Sequence, residues 1–240
     1  MPLPLPIMRH ELHFDPYEKD WDKVYHVLEK EYGTIDPEQF LELVRHGQVP
    51  PRAPHGCSPF GHDFLPFEMS MAGYHLKDKL RQLGMFAVVD QYWTRQLADW
   101  IGTRKCLEIM AGWGWLSKAL SEHGVDIIAT DDYSWNNYET IKQVHPIEKL
   151  EACAAIQEHP NAEVLLCSWP YMDNDFTTAC KAWGSQRPII YIGEGYGGCT
   201  ADDEFHDGFV ELEPSVKIDI LAWSGIHDHV QIGHWEKSSE

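Results

Sequence analysis

Residues 106–131, CLEIMAGWGWLSKALSEHGVDIIATD, pass from an apolar run through a glycine-bearing loop into a helical pattern and back to an apolar run. KCLEIM predicts a strand, WLSKALSEHG a helix and DIIATD a second strand. The alternation continues downstream, with KLEACAAIQEH, EVLLCSW, FTTACKAWG and PIIYIGE reading as helix, strand, helix and strand. Continuous apolar strands bounded by helices are the pattern of a parallel sheet covered on both faces. VKIDILAW and DHVQIGHW read as two further strands. Only residues 224–227 separate them, too few for a crossover, so an antiparallel hairpin is expected.

Upstream the chain changes character. Residues 15–31 place Trp21, Val24, Tyr25 and Leu28 at helical spacing, and Asp36-Pro37 opens a second short helix, PEQFLELVRHG. Residues 49–66 hold five prolines and two glycines with little periodicity, which predicts a long loop, either a functional lid or a wrapping segment. A helix over 88–100 leads into the first strand of the alternating region. Residues 1–87 are therefore expected to form a helical N-terminal cap with a lid loop, and 88–240 the α/β domain.

Two strand–loop–helix passages carry glycines. Residues 193–198, GEGYGG, formally match G-x-G-x-x-G, but they run into Asp202-Asp203-Glu204. Those acids complement a helix dipole themselves and repel a pyrophosphate. The loop at 110–114 opens the first strand of the sheet, where an open α/β sheet has its crevice. Asp131-Asp132 closes the next strand about 20 residues on, where an acid accepts from both ribose hydroxyls of a nucleoside. The first loop is the better candidate site.

Residues 106–131 resemble motif I and the following acidic motif of class I S-adenosylmethionine-dependent methyltransferases, usually written E-x-G-x-G-x-G. The resemblance spans about residues 88–235 and implies a Rossmann-like fold. Its sheet has about seven mostly parallel strands with an antiparallel C-terminal hairpin. It implies S-adenosyl-L-methionine as cofactor, with Glu108 as the motif acid, Gly112 and Gly114 as the second and third glycines, Ala111 between strand and loop, and Asp131 as the ribose acid. Adenine is implied near residues 150–153. Asp132 is either a second polar contact or a helix-starting acid. Met110 departs from the pattern by standing where the first glycine usually lies, and Trp113 and Trp115 are bulkier than usual.

Strand four ends in Ser168-Trp169-Pro170-Tyr171. This is the place of the [Asp/Asn]-Pro-Pro-[Tyr/Phe] motif of methyltransferases acting on amino groups. Ser168 lacks the charge and the two-sided hydrogen bonding of the acid or amide, so adenine or glutamine N-methylation is not supported. Trp169 or Tyr171 facing a sulfonium would contribute about 1–2 kcal/mol of cation–π attraction when desolvated. Glu194 closes strand five and is read as a general base, a holder of a cationic acceptor or a loop anchor. Tyr171 and Glu194 are the catalytic candidates. The clusters His227-Asp228-His229 with His234, and His55, Cys57 and His62, match no zinc spacing and are read as structural or surface groups.

The chain has 240 residues, 19 Lys and Arg against 38 Asp and Glu, and a formal charge of −19. That balance argues against a nucleic-acid binder, since phosphate repulsion would need a local basic patch, and the densest group, Lys77, Lys79 and Arg81, is interrupted by Asp78. No apolar run approaches a membrane span, and the proline-rich start has no basic region of a signal peptide. Six widely spaced cysteines without a C-x-x-C pair fit a reducing cytoplasm. The expected function is methylation of a small molecule at an amine or hydroxyl. The alternatives are an enzyme of this fold that consumes S-adenosylmethionine itself, releasing methylthioadenosine, and a non-catalytic binding protein.

Overall fold

The computed structural model describes residue 30 and residues 32–58, 67–134, 142–223 and 226–236. The helix expected over 15–31 falls almost wholly outside them, as do residues 59–66 of the proline-rich loop. In chain order the elements are α1 (Pro37–Arg45), β1 (Cys57–Ser58), α2 (Phe67–Gln82), α3 (Gln91–Ile101), β2 (Cys106–Glu108), α4 (Trp115–Glu122), β3 (Ile127–Ala129) and α5 (Ala152–Glu158). There follow β4 (Val164–Ser168), α6 (Asp175–Trp183), β5 (Ile189–Gly193), α7 (Asp203–Gly208), β6 (Phe209–Glu211), β7 (Ala222–Trp223) and β8 (His229–Trp235).

Among the described residues the main sheet has six strands in the order β3-β2-β4-β5-β8-β6. The first four are parallel and the last two antiparallel to their neighbours. This is an α/β, Rossmann-like arrangement. Alternate strand residues divide between two apolar clusters. Cys106, Leu166, Ile190 and Ile192 join a cluster with Trp93, Leu97, Leu116 and Leu120 of α3 and α4. Leu107, Leu165, Ile189 and Tyr191 join the other, with Ile156, Phe176, Trp183 and Phe205 of α5, α6 and α7. Both faces are covered, which is why these strands read as unbroken apolar runs. The N-terminal helices belong to the first cluster through Phe40, Leu41, Val44, Leu76 and Leu80.

Caps set where the helices start. The Asp36 carboxylate accepts from the N–H groups of Glu38 and Gln39, with Pro37 in the first turn. Asp90 does the same for α3 through Tyr92 and Trp93, so that helix begins at Gln91 rather than at Val88. Among the described residues no helix is long and apolar enough to cross a membrane. All six cysteines are free thiols.

The C-terminal hairpin differs from the expectation in one strand. The partner of β8 is β6, not residues 216–223. Phe209–Glu211 fits there because Gly233 has no Cβ: one would lie 2.2 Å from the Val210 carbonyl oxygen. The alternation in VKIDILAW is real, but its apolar side covers the first cluster through Val216, Ile218 and Ile220. There the Asp219 N–H donates to the Gln96 side chain of α3 at 3.1 Å. Only Ala222–Trp223 forms a ladder, antiparallel with Cys57–Ser58 in a separate two-stranded sheet.

Candidate functional site

The carboxyl ends of β2, β3 and β4 converge on a cavity of about 390 Å³, within the usual range for small-molecule sites of roughly 300–1,000 Å³. The chain leaves all three strands in the left-handed region: Met110 has φ 55°, Tyr133 58° and Trp169 58°. L-residues are strained there, and such strain clusters where a site holds the backbone in place. Met110 thus keeps the conformation that a glycine would supply at the head of the loop. Gly112 has φ 59°, and nothing lies within 4 Å of a Cβ added to it. It faces open cavity.

Asp131, buried at the end of β3, is tied to that loop. Its Oδ2 accepts from the Gly112 N–H at 2.8 Å and its Oδ1 from the Tyr133 N–H at 2.7 Å. Glu108, buried at the end of β2, accepts from the Ser117 hydroxyl of α4. Burial lifts its pKa to about 8; the Ser117 hydrogen bonds oppose the rise and the nearby Asp131 charge adds to it. Glu108, Ala111, Gly112, Asp131, Asp132, Ser168, Trp169 and Tyr171 all line the cavity. Asp132 also accepts from the Ser134 N–H at 2.8 Å, and Leu150, Glu151 and Ala152 form the wall where adenine was expected.

Gly114 has a different reason. It does not line the cavity; at φ 84° it precedes α4, and a Cβ there would come 2.9 Å from that of His145 and 3.2 Å from Ile147 Cδ1. Its role is close packing. The bulky tryptophans beside it hold the segment after α2. The Trp115 indole N–H donates to the Leu83 carbonyl at 2.8 Å, and Trp113 packs where a side chain at Gly84 would sit. This brings Met85, Phe86 and Ala87 to the cavity wall.

Trp169 is oriented from below. Its indole N–H donates to Asp228 Oδ1 at 2.8 Å, and its backbone N–H donates to the Ile192 carbonyl at 2.8 Å. Asp228 is 4% exposed, and burial raises its pKa to about 7. Phe86 lies 6.2 Å from the Trp169 ring, centroid to centroid. Tyr171 is largely exposed, its pKa raised by partial burial and by the Asp131 and Asp173 charges.

Glu194 is not among the residues that line this cavity, and of the three readings open for it the loop anchor is the one its hydrogen bonds match. Its Oε2 accepts from the Cys199 N–H at 2.8 Å and its Oε1 from the His227 N–H at 3.1 Å. Burial pushes its pKa up, but those hydrogen bonds from Cys199 and His227 outweigh it, and the group is held below its ordinary value. A carboxylate so committed clamps a loop. Lys77, Arg81, Phe86 and Cys199 line the cavity without having been singled out from the sequence as site residues. The helical spacing of Leu76 and Leu80 was the available signal for α2. Among the described residues no group of three or more His, Cys, Asp or Glu side chains is placed to hold a metal ion.

No family model matches the chain, and no curated protein matches it. Solved structures of similar architecture include TehB from Haemophilus influenzae, with a TM-score of 0.38 and 14% identity over 60% of this chain and 61% of that one. A mutant of MtNAS in complex with S-adenosylmethionine has a TM-score of 0.44 and 12% identity over 92% and 99% of the two chains. Human N-acetylserotonin methyltransferase in complex with SAM has a TM-score of 0.41 and 11% identity over 84% and 67%.

Proposed function

We propose that the chain is an S-adenosylmethionine-dependent methyltransferase acting on a small molecule at an amine or hydroxyl group. The observation that carries this reading is the pairing of the buried Asp131 carboxylate with the open left-handed Gly112 at the mouth of one cavity. The donor set fits the cofactor. Asp131 accepts from the ribose hydroxyls, Leu150 and Ala152 flank the adenine, and the space over Gly112 takes the methionyl end near Glu108. When bound, S-adenosylmethionine supplies an electrophilic methyl whose leaving group is a neutral thioether. The protein's share is then alignment and exclusion of water.

Trp169 supplies an aromatic face at the carboxyl end of β4, held against rotation by Asp228, and Phe86 closes the apolar wall beside it. Tyr171, on the open side, is positioned to touch the acceptor. Ser168 marks the end of the strand and offers one hydroxyl. Of the cap expected over 1–87, α2 and the 83–87 segment form one side of the site.

The test is mass spectrometry of the full chain incubated with S-adenosylmethionine and no acceptor. Bound, intact S-adenosylmethionine is expected, and S-adenosylhomocysteine should accumulate once an amine or hydroxyl acceptor is added. Steady release of methylthioadenosine above a protein-free control would overturn methyl transfer in favour of an enzyme that consumes the nucleoside itself. Binding with no turnover across an acceptor panel would make it a binding protein. If nothing binds, the glycine loop has been wrongly assigned.

A further inference from the structure

The cavity has two lips of opposite sign. Asp132, Glu151, Asp173 and Asp175 line one, around the ends of β3 and β4 and the starts of α5 and α6. Lys77 and Arg81, one helical turn apart on α2, line another. In a chain of formal charge −19, two cationic residues at the wall of one cavity call for a reason.

Lys77 is half-buried, with its Nζ 5.4 Å from the centroid of the Trp169 ring. Among the described residues it has no carboxylate at ion-pair distance. The acids whose fields reach it are Asp228 and Glu194, neither of them at ion-pair distance; Asp228 keeps one buried oxygen, Oδ2, without a hydrogen-bond partner among the described residues. Asp228 Oδ1 accepts from the Trp169 indole, and Glu194 accepts from the N–H groups of Cys199 and His227. Burial draws the Lys77 pKa down, and the Asp228 charge draws it part of the way back. An ammonium withdrawn from water without a paired anion is costly, and a ligand that brings the anion recovers that cost. Arg81 is more exposed and leans on Asp78 at 3.3 Å, leaving it free to turn toward a second anionic oxygen.

Position decides which ligand brings the charge. The ring that its ammonium faces is Trp169, at the carboxyl end of β4, and the charged or titratable groups that act on it are Asp228, Cys199, Glu194 and Arg81, which precede β8, follow β5 or share α2. We propose that Lys77, backed by Arg81, binds a carboxylate of the acceptor, whose apolar body lies against Phe86 and Trp169. The substrate class is an anionic small molecule carrying an apolar or aromatic group. This rests on the nucleoside reading of the cavity and is tested apart from it.

Titration of the wild-type chain with 5′-methylthioadenosine, which has no carboxylate, tests the nucleoside reading alone. The chain saturated with S-adenosylhomocysteine is then titrated with benzoate, benzamide and benzylamine. Benzoate is expected to bind at least about 10-fold more tightly than benzamide, as loss of a charge-assisted contact implies. Lys77→Gln should abolish that preference and Lys77→Arg should keep most of it. Arg81→Gln, at an exposed position, should lower it by a smaller factor, and it reads the same site if Lys77→Gln fails to fold. The proposal is overturned if benzylamine is preferred, if none of the three binds, or if Lys77→Gln leaves the benzoate preference intact. It is also overturned if Lys77→Gln weakens S-adenosylmethionine about 10-fold while leaving 5′-methylthioadenosine unchanged, because Lys77 then serves the methionyl carboxylate.

Discussion

Glu108 ends β2 and Glu194 follows β5, and both are buried beside a glycine loop, yet their pKa values are displaced in opposite directions. Burial carries Glu108 up to about 8, against the hydrogen bonds of Ser117. Burial acts on Glu194 too, but the backbone donors of Cys199 and His227 overcome it and keep the group ionised. The loops differ in the same sense. A Cβ on Gly112 meets nothing within 4 Å, whereas one on Gly198 would sit 2.3 Å from the Glu194 Cβ. The second loop has closed on its own acid, and Thr200 finishes the closure by accepting from the Glu194 N–H at 2.8 Å. A cleft of about 420 Å³ does lie beside it, but Asp202, Asp203 and Glu204 wall that space with negative charge. A glycine pattern therefore marks a ligand site only where the neighbouring acid leaves the loop's inner face open.

The largest effect that would break this contrast is in pH. Glu108 at about 8, Asp228 at about 7 and Asp90 at about 6 all bind protons more tightly folded than unfolded. Their contribution to stability is complete below about pH 4, the ordinary carboxylate range, and is lost as pH rises through those values. Each acid contributes a slope of up to about 1.4 kcal/mol per pH unit in its window. Glu194 runs the other way, stabilising above its ordinary value and losing that contribution as pH falls through its lowered one. Urea unfolding between pH 5 and 8 should show stability falling with pH, and Glu108→Gln should flatten the fall. An unchanged slope in the variant would mean that Glu108 ionises as freely in the fold as outside it.

Next in size is Gly198→Ala. The added methyl meets Glu194 Cβ at 2.3 Å and the Gly195 carbonyl at 2.9 Å, so a loss of about 3 kcal/mol is expected from overpacking. The affinity of the folded fraction for 5′-methylthioadenosine should not change; a large loss of affinity would place the ligand in the second loop after all. Asp131→Ala should weaken the same ligand about 10-fold or more by calorimetry, the equivalent of about 1.5–3 kcal/mol for a charged hydrogen bond. Equal affinities would remove the ribose from Asp131.

The parallel core was legible because β4 and β5 are buried almost throughout, so the sequence shows them as unbroken apolar runs. β6 was not: three residues, half-buried and exposed, carry no pattern that outranks the alternation at 216–223. The parts of the site that were legible, such as Gly112, Asp131, Ser168 and Trp169, lie at or just beyond strand ends, where local spacing describes geometry. Lys77 and Asp228 were not legible as site residues. They approach Trp169 from distant parts of the sequence, and only the tertiary fold, with α2 in the first apolar cluster and β8 paired to β5, brings them there. The three readings of Glu194 could not be separated from sequence for a related reason, since its donors Cys199 and His227 lie 5 and 33 residues away, and the second is invisible to motif spacing.

The smallest and most discriminating change is Met110→Gly. Met110 stands at φ 55°, a conformation that costs an L-residue about 1–2 kcal/mol and a glycine almost nothing. Against that relief stands the loss of its contacts in the second apolar cluster, including the Cys167 thiol 4.0 Å from its sulfur, and the greater freedom of an unfolded glycine. These oppose each other, so stability should move by less than about 1 kcal/mol. Binding should move more clearly, because the side chain lines the cavity at the head of the loop while Asp131 and the 150–152 wall are untouched. S-adenosylmethionine should then bind more tightly and 5′-methylthioadenosine no differently, since only the former carries a chain into the space that the methionine vacates. If both ligands weaken together, Met110 shapes the nucleoside site itself, and the loop's openness depends on this side chain as much as on Gly112.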